Sequence, residues 1–146
     1  MIKKVHHPCI TVSNIEEALA FYRDTLGLKM TMDFEISGEE MDALLGVKNT
    51  HFRILYFDVG LEIAYYYSPI DGKPLNARIW DFGATFLILE VDDLDKTYAE
   101  LVKKGVKFFS PPQLPKTEIP TEGKIKVVHL HAPDNVRMSL VELPKK

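Results

Sequence analysis

The chain has one cysteine, one tryptophan and no excess of positive charge. A lone Cys9 cannot close an internal disulfide, which places the expected home of the chain in a reducing, cytoplasmic compartment. The formal net charge of −3, with lysines and acids interleaved, advertises no surface for nucleic acid or an anionic membrane. No apolar run approaches the eighteen or so residues that span a bilayer. Met1-Ile2-Lys3-Lys4 leads into a histidine pair rather than a long apolar stretch, so no secretory leader is expected. Low-complexity segments, glycine-rich phosphate loops, paired CxxC motifs and nucleophile elbows are missing as well.

What remains is an ordinary globular composition, 46% apolar and 27% charged over 146 residues, enough for one compact domain with a sizeable core. Val5 to Val12 alternates and is rich in β-branched residues, which predicts a strand. Ser13-Asn14-Ile15-Glu16 offers a capping box with Ser13 as the cap. Ile15, Ala18, Leu19, Tyr22 and Leu26 then fall at helical spacing, and Gly27 supplies a stop. Strands are expected over 28–36, 51–58 and 61–67, with a short helical excursion over 37–45 and a hairpin turn at Val59-Gly60.

After a turn-rich linker, about 69–82, the order begins again. A strand is expected over 84–91, a helix capped at Asp92-Asp93 and stopped by Gly105, a short strand over 106–109, and strands over 124–131 and 137–143. Val12-Ser13-Asn14-Ile15-Glu16 matches Val91-Asp92-Asp93-Leu94-Asp95 at a constant offset. A repeat this long is a duplicated module rather than a solenoid unit. The expected fold class is therefore α+β: two βαβββ modules, about 1–68 and 83–146, pairing into one mixed sheet that encloses a cavity and buries two otherwise open faces.

The stretch His7-Pro-Cys-Ile-Thr-Val-Ser-Asn-Ile-Glu-Glu-Ala-Leu-Ala-Phe-Tyr-Arg-Asp-Thr-Leu-Gly-Leu resembles the opening of glyoxalase, bleomycin-resistance and extradiol-dioxygenase proteins, the vicinal oxygen chelate superfamily. Leu89-Glu-Val-Asp-Asp-Leu-Asp, Lys104-Gly and Pro133-Asp134 are similar to that family's second-half landmarks. The resemblance covers essentially the whole chain. It specifies fold far better than reaction, because such folds host isomerases, epimerases, lyases, oxygenases and non-catalytic drug binders.

In metal-using relatives each module supplies two ligands, one from its first strand and one from its last. Carried over, the first-strand positions are His7 and Phe86, and the last-strand positions are Glu62 and Ser139. Alternation independently puts His7 and Cys9 opposite the helix, and gives Phe86 and Ser139 the face opposite their module's core. Phenylalanine cannot ligate and a serine hydroxyl is a poor ligand, so the residues themselves exclude a standard four-ligand site. Val127-Val128-His129-Leu130-His131 puts His129 on the face opposite Val128 and Leu130. If that face lines the cavity, His129 completes a metal set with His7 and Glu62; otherwise His129 and His7 are ordinary strand histidines. The resemblance thus implies a divalent metal (zinc, iron, manganese or nickel) as the candidate cofactor. Without metal, Glu62 reads as a general base, or as a carboxylate paired with Arg53 or a lysine. Tyr66 shares the face of Glu62 and reads as a ligand-binding tyrosine or as plain packing; Cys9 reads as a wall of the same pocket or as inert filling.

Two functional readings follow. In one, the chain is an enzyme on a small oxygenated molecule, an isomerase, epimerase, lyase or dioxygenase-like protein, with Glu62 catalytic and Tyr66, Phe86, Ser139 and Cys9 around the substrate. In the other it is a non-catalytic binder of the drug-resistance type, which Phe86 and Ser139 favour. The expected partners are a small-molecule ligand and a second copy of the chain, with Ile79-Trp80 in the linker as contacts.

Overall fold

The computed structural model describes residues 1–120 and 122–145. It is an α+β fold with two mixed sheets, divided into units Met1–Pro74 and Leu75–Lys146. The mixed pairing anticipated from the sequence is present, and hydrogen bonding assigns it to two sheets, one per unit, rather than to one. In each sheet the module's first strand docks parallel to its own last strand. Among the described residues no helix is long and apolar enough to cross a membrane.

The first unit runs β1 (Cys9–Val12), α1 (Ile15–Ala18), a π-helical continuation (Leu19–Thr25), β2 (Met30–Ser37), α2 (Glu39–Leu45), β3 (His51–Phe57) and β4 (Leu61–Ser68). The sheet order is β1-β4-β3-β2. The residue that caps α1 is Asn14, not Ser13. Its backbone is extended, and its carboxamide oxygen accepts from the amides of Glu16 and Glu17 at 3.0 and 3.1 Å. Both side chains are good caps, and the choice falls to the residue whose extended backbone immediately precedes the first helical turn. Past Ala18 the ladder widens, with the Leu26 amide reaching the Phe21 carbonyl. This turns Tyr22, fully buried, against Phe57. Gly27 then adopts φ 74°, a conformation any side chain would strain.

Alternation gives this sheet two different faces. On the helix side Leu55, Phe57, Leu61 and Ile63 are sealed from solvent, each burial contributing roughly 1.5–3 kcal/mol. On the other side Phe52, Ile54 and Ala64 form a second buried cluster, with Ile36, Met41 and Tyr66 packed against it. Met41 comes from α2, held by Asp42, whose carboxylate accepts from the Asn49 and Thr50 amides at 2.7 and 2.8 Å.

The second unit comprises β5 (Leu87–Glu90), α3 (Leu94–Lys103), β6 (Lys126–His131) and β7 (Arg137–Glu142), in the order β5-β7-β6. Asp93 caps α3 by accepting from the Lys96 amide at 2.9 Å. It is the counterpart of Asn14 under the repeat offset. Leu94, Leu101, Val128, Leu130, Met138 and Leu140 fill the core. The short strand expected over 106–109 does not form. In its place stand isolated bridges, Phe108 to Leu130 and Gln113 to Val127. Pro111 and Pro112 lack the amide hydrogens that a continuous ladder along β6 would need.

Candidate functional site

In the first unit β1 and β4 run parallel with Cys9 opposite Glu62, and the pairing extends one step outward, where the Glu62 amide donates to the Pro8 carbonyl at 3.1 Å. That bond fixes the chain just before β1 and brings His7 over Glu62. The imidazole Nε2 and carboxylate Oε2 stand 3.1 Å apart, with side chains 26% and 22% exposed. The other ring nitrogen of His7 hydrogen-bonds Nδ1 of His6, and its ring meets Tyr56 edge-on at 5.1 Å. Tyr56 is the cross-strand neighbour of Glu62 on β3, so Glu62 is flanked by Cys9 on one side and Tyr56 on the other.

Cys9 is exposed by surface area, yet its thiol is pushed up to about 12. Desolvation by the groups around it is the largest cause, followed by its hydrogen bond to Glu62 and the charge of that carboxylate. The sulfur therefore stays protonated and donates. Tyr66, on the same face, is also held above its ordinary value, first by desolvation and then by Cys9 and Glu62. Its ring stacks on Phe52 at 4.8 Å. Glu62, His7, Cys9 and Tyr66, singled out in the sequence, thus share one face, polar at the His7 end and apolar around Phe52. The pairing of Glu62 with Arg53 does not form. Arg53 lies on the opposite face and grips Asp33 through two 2.8 Å hydrogen bonds.

In the second unit Ser139 is buried, its hydroxyl 2.8 Å from Nδ1 of His129, its cross-strand partner. Phe86 packs 6.0 Å from the His129 ring. Desolvation first, and the Arg137 charge second, hold His129 below its ordinary value, so the imidazole is neutral at neutral pH. Phe86, Ser139 and His129 therefore also gather on one face. Sequence reasoning missed two neighbours here, Arg137 and Phe109, and missed Tyr56 in the first unit. The Val59-Gly60 turn carried a signal for Tyr56, because a hairpin closing there sets Tyr56 against Glu62.

The divalent ion that the resemblance implies needs several donor atoms on these faces. Phe86 has no donor atom, and the Ser139 hydroxyl is engaged by His129. Among the described residues no group of three or more His, Cys, Asp or Glu side chains is gathered to hold a metal ion. Within the first unit His7 and Glu62 supply two donors, fewer than the three or so protein ligands usual in catalytic sites.

Comparison with known proteins agrees with the architecture. The chain is 28% identical over 137 residues to the uncharacterized protein YraH of Bacillus subtilis (strain 168), covering 93% of each chain. A glyoxalase family protein from Bacillus cereus superposes with a TM-score of 0.78 at 15% identity, over 99% of this chain and 97% of that one. A member of the glyoxalase/bleomycin resistance protein/dioxygenase superfamily from Sphaerobacter thermophilus DSM 20745 has a TM-score of 0.59 at 26% identity, over 97% and 98%. The profile of that superfamily matches residues 4–118. The repeated capped helix, the two mixed sheets and this match together establish that the chain belongs to the Glyoxalase/Bleomycin resistance protein/Dioxygenase superfamily.

Proposed function

We propose that the chain binds a small oxygenated organic molecule and that Glu62, oriented by His7, moves a proton on it without a firmly held metal. The observation that supports this reading is the 3.1 Å contact between His7 and Glu62 on a face shared with Cys9 and Tyr66. A carboxylate fixed beside an imidazole is a competent general base. In the reaction class this suits, Glu62 takes the proton from a carbon next to a carbonyl. The C–H electron pair moves toward the carbonyl oxygen as an O–H bond forms on the carboxylate. Tyr66, kept protonated by its surroundings, is a hydrogen-bond donor suited to the developing oxyanion. Return of the proton to a neighbouring carbon or to the other face gives an isomerase or epimerase outcome; loss of a leaving group gives a lyase.

The second reading, a non-catalytic binder, is favoured by Phe86, whose ring is 43% exposed where metal-using relatives carry a ligand. Solvent exchange separates the two. Protein in D2O with hydroxyacetone, acetoin and dihydroxyacetone is followed by proton NMR for loss of the α-hydrogens. The enzymatic reading expects exchange above the buffer rate that Glu62→Gln slows by about 10²–10⁴-fold. Binding of these probes with no exchange supports the binder instead. Metal analysis of protein purified without a histidine tag tests the remaining clause: stoichiometric metal that disappears in Glu62→Ala would overturn it. The proposal includes a homodimer through Ile79 and Trp80, both exposed, which sedimentation of the wild type and Trp80→Ala would test.

A further inference from the structure

We infer that the second unit carries an anion-binding subsite built on Arg137, selective for a monocarboxylate with an aromatic or similarly flat apolar body. Strand register puts Arg137 and Ser139 on one face of β7, with His131 and His129 opposite them on β6 and Ile88 beside Ser139 on β5. The reverse face is the filled core. The Arg137 guanidinium lies 4.0 Å over the Phe109 ring, and Phe109 stacks in turn on His131 at 3.9 Å. A guanidinium packed against an aromatic ring has a pre-organised planar fork and loses little entropy on binding.

Among the described residues no ion pair engages that cation. Other cations do find acids, as Arg53 does with Asp33 and Lys126 with Asp95. The acid on the same face of this sheet, Glu90, stands opposite Val141, four residues along β7 from Arg137. Across from β7, on β6, lies the His129 imidazole, hydrogen-bonded to Ser139, and beside that the partly exposed Phe86. One positive charge, one hydrogen-bonding group and one apolar wall match a single carboxylate on a flat body. A dianionic phosphate would leave half its charge uncompensated, and the planar fork suits a carboxylate's two oxygens. Every residue involved belongs to the second unit, so this inference does not rest on the role given to Glu62.

The probe is benzoate, with benzamide as its uncharged counterpart. Titration of the full chain, followed by ¹H–¹⁵N NMR, should give saturable shifts at Arg137, His129 and Ser139. Benzamide should bind about tenfold more weakly, because hydrogen bonds to a charged partner are the stronger kind. Arg137→Gln should lower benzoate to the benzamide level, and Arg137→Lys, which keeps the charge without the fork, should fall between. Equal binding of benzoate and benzamide to the wild type, shifts confined to other regions, or no saturable benzoate binding would each overturn the subsite, with no variant needed. Inorganic phosphate displacing benzoate at lower concentration would overturn the choice of a carboxylate.

Discussion

Cys9 allows the environment of Glu62 to be measured without knowing a substrate, because it is the only thiol in the chain. Its pKa is raised from 9.0 to about 12. At pH 8 such a shift lowers the thiolate fraction roughly a thousandfold, from about a tenth to about one part in ten thousand. A more basic thiolate is a better nucleophile, and with a Brønsted slope near 0.4–0.5 three pK units return about twentyfold. Reaction with Ellman's reagent in the native state should therefore be about fiftyfold slower than for the same cysteine in urea. Since Cys9 is exposed, steric exclusion is a weak competitor, and the pH profile separates the two. Steric shielding lowers the plateau of the rate without moving its midpoint, whereas a raised pKa keeps the rate climbing beyond pH 10. Glu62→Gln removes the hydrogen-bonded carboxylate but leaves the desolvation, so its rate should lie between native and unfolded. A native rate within twofold of the unfolded one, or a midpoint near the ordinary thiol value, would refute the placement of Cys9 against an ionised Glu62.

Three further outcomes are expected. Asn14→Ala should cost about 1 kcal/mol in urea unfolding by removing the cap of the first helix, while Ser13→Ala should cost less; the opposite ranking would return the cap to Ser13. The depressed pKa of His129 means that the unfolded chain binds this proton more readily than the folded one. Stability should therefore fall as pH drops below about 6.5, the ordinary histidine value, and stop falling once pH passes the folded value. Arg137→Gln, by removing the second cause of the shift, should raise the NMR-measured pKa of His129 toward normal; an unchanged titration would place the guanidinium away from the imidazole.

Much of the architecture was legible because it depends on short-range chemistry. Alternation along Leu61-Glu62-Ile63 and Met138-Ser139-Leu140 assigned the faces, and both helix stops fell on glycines that take positive φ. Where two local choices were equally good, the letters did not decide: Ser13 and Asn14 both cap well, and only the entry angle of the chain selects between them. The π-helical widening after Ala18 was not visible either, since Ile15, Ala18, Leu19 and Tyr22 suit an ordinary helix equally well. For the site, family positions led to His7 and Glu62, but their mutual contact depends on a parallel strand pairing more than fifty residues apart in sequence. Arg137 and Phe109 were invisible for a similar reason. Their stack joins the loop before Pro111 to the last strand, and no periodicity reports a contact of that kind.

The interrupted edge of the second sheet also bears on how this scaffold tolerates change. Phe108 and Gln113 touch β6 at two separate points, and Ile119 folds back on Gly123 rather than on the sheet. Chain inserted between Gln113 and Ile119 therefore has no ladder to disturb. The register that sets His129 against Ser139 belongs to the β6–β7 ladder. Such a segment can lengthen, shorten or accept a grafted peptide while the neighbouring strands keep their places, which makes residues 114–118 the part of this duplicated scaffold most open to evolutionary or engineered elaboration.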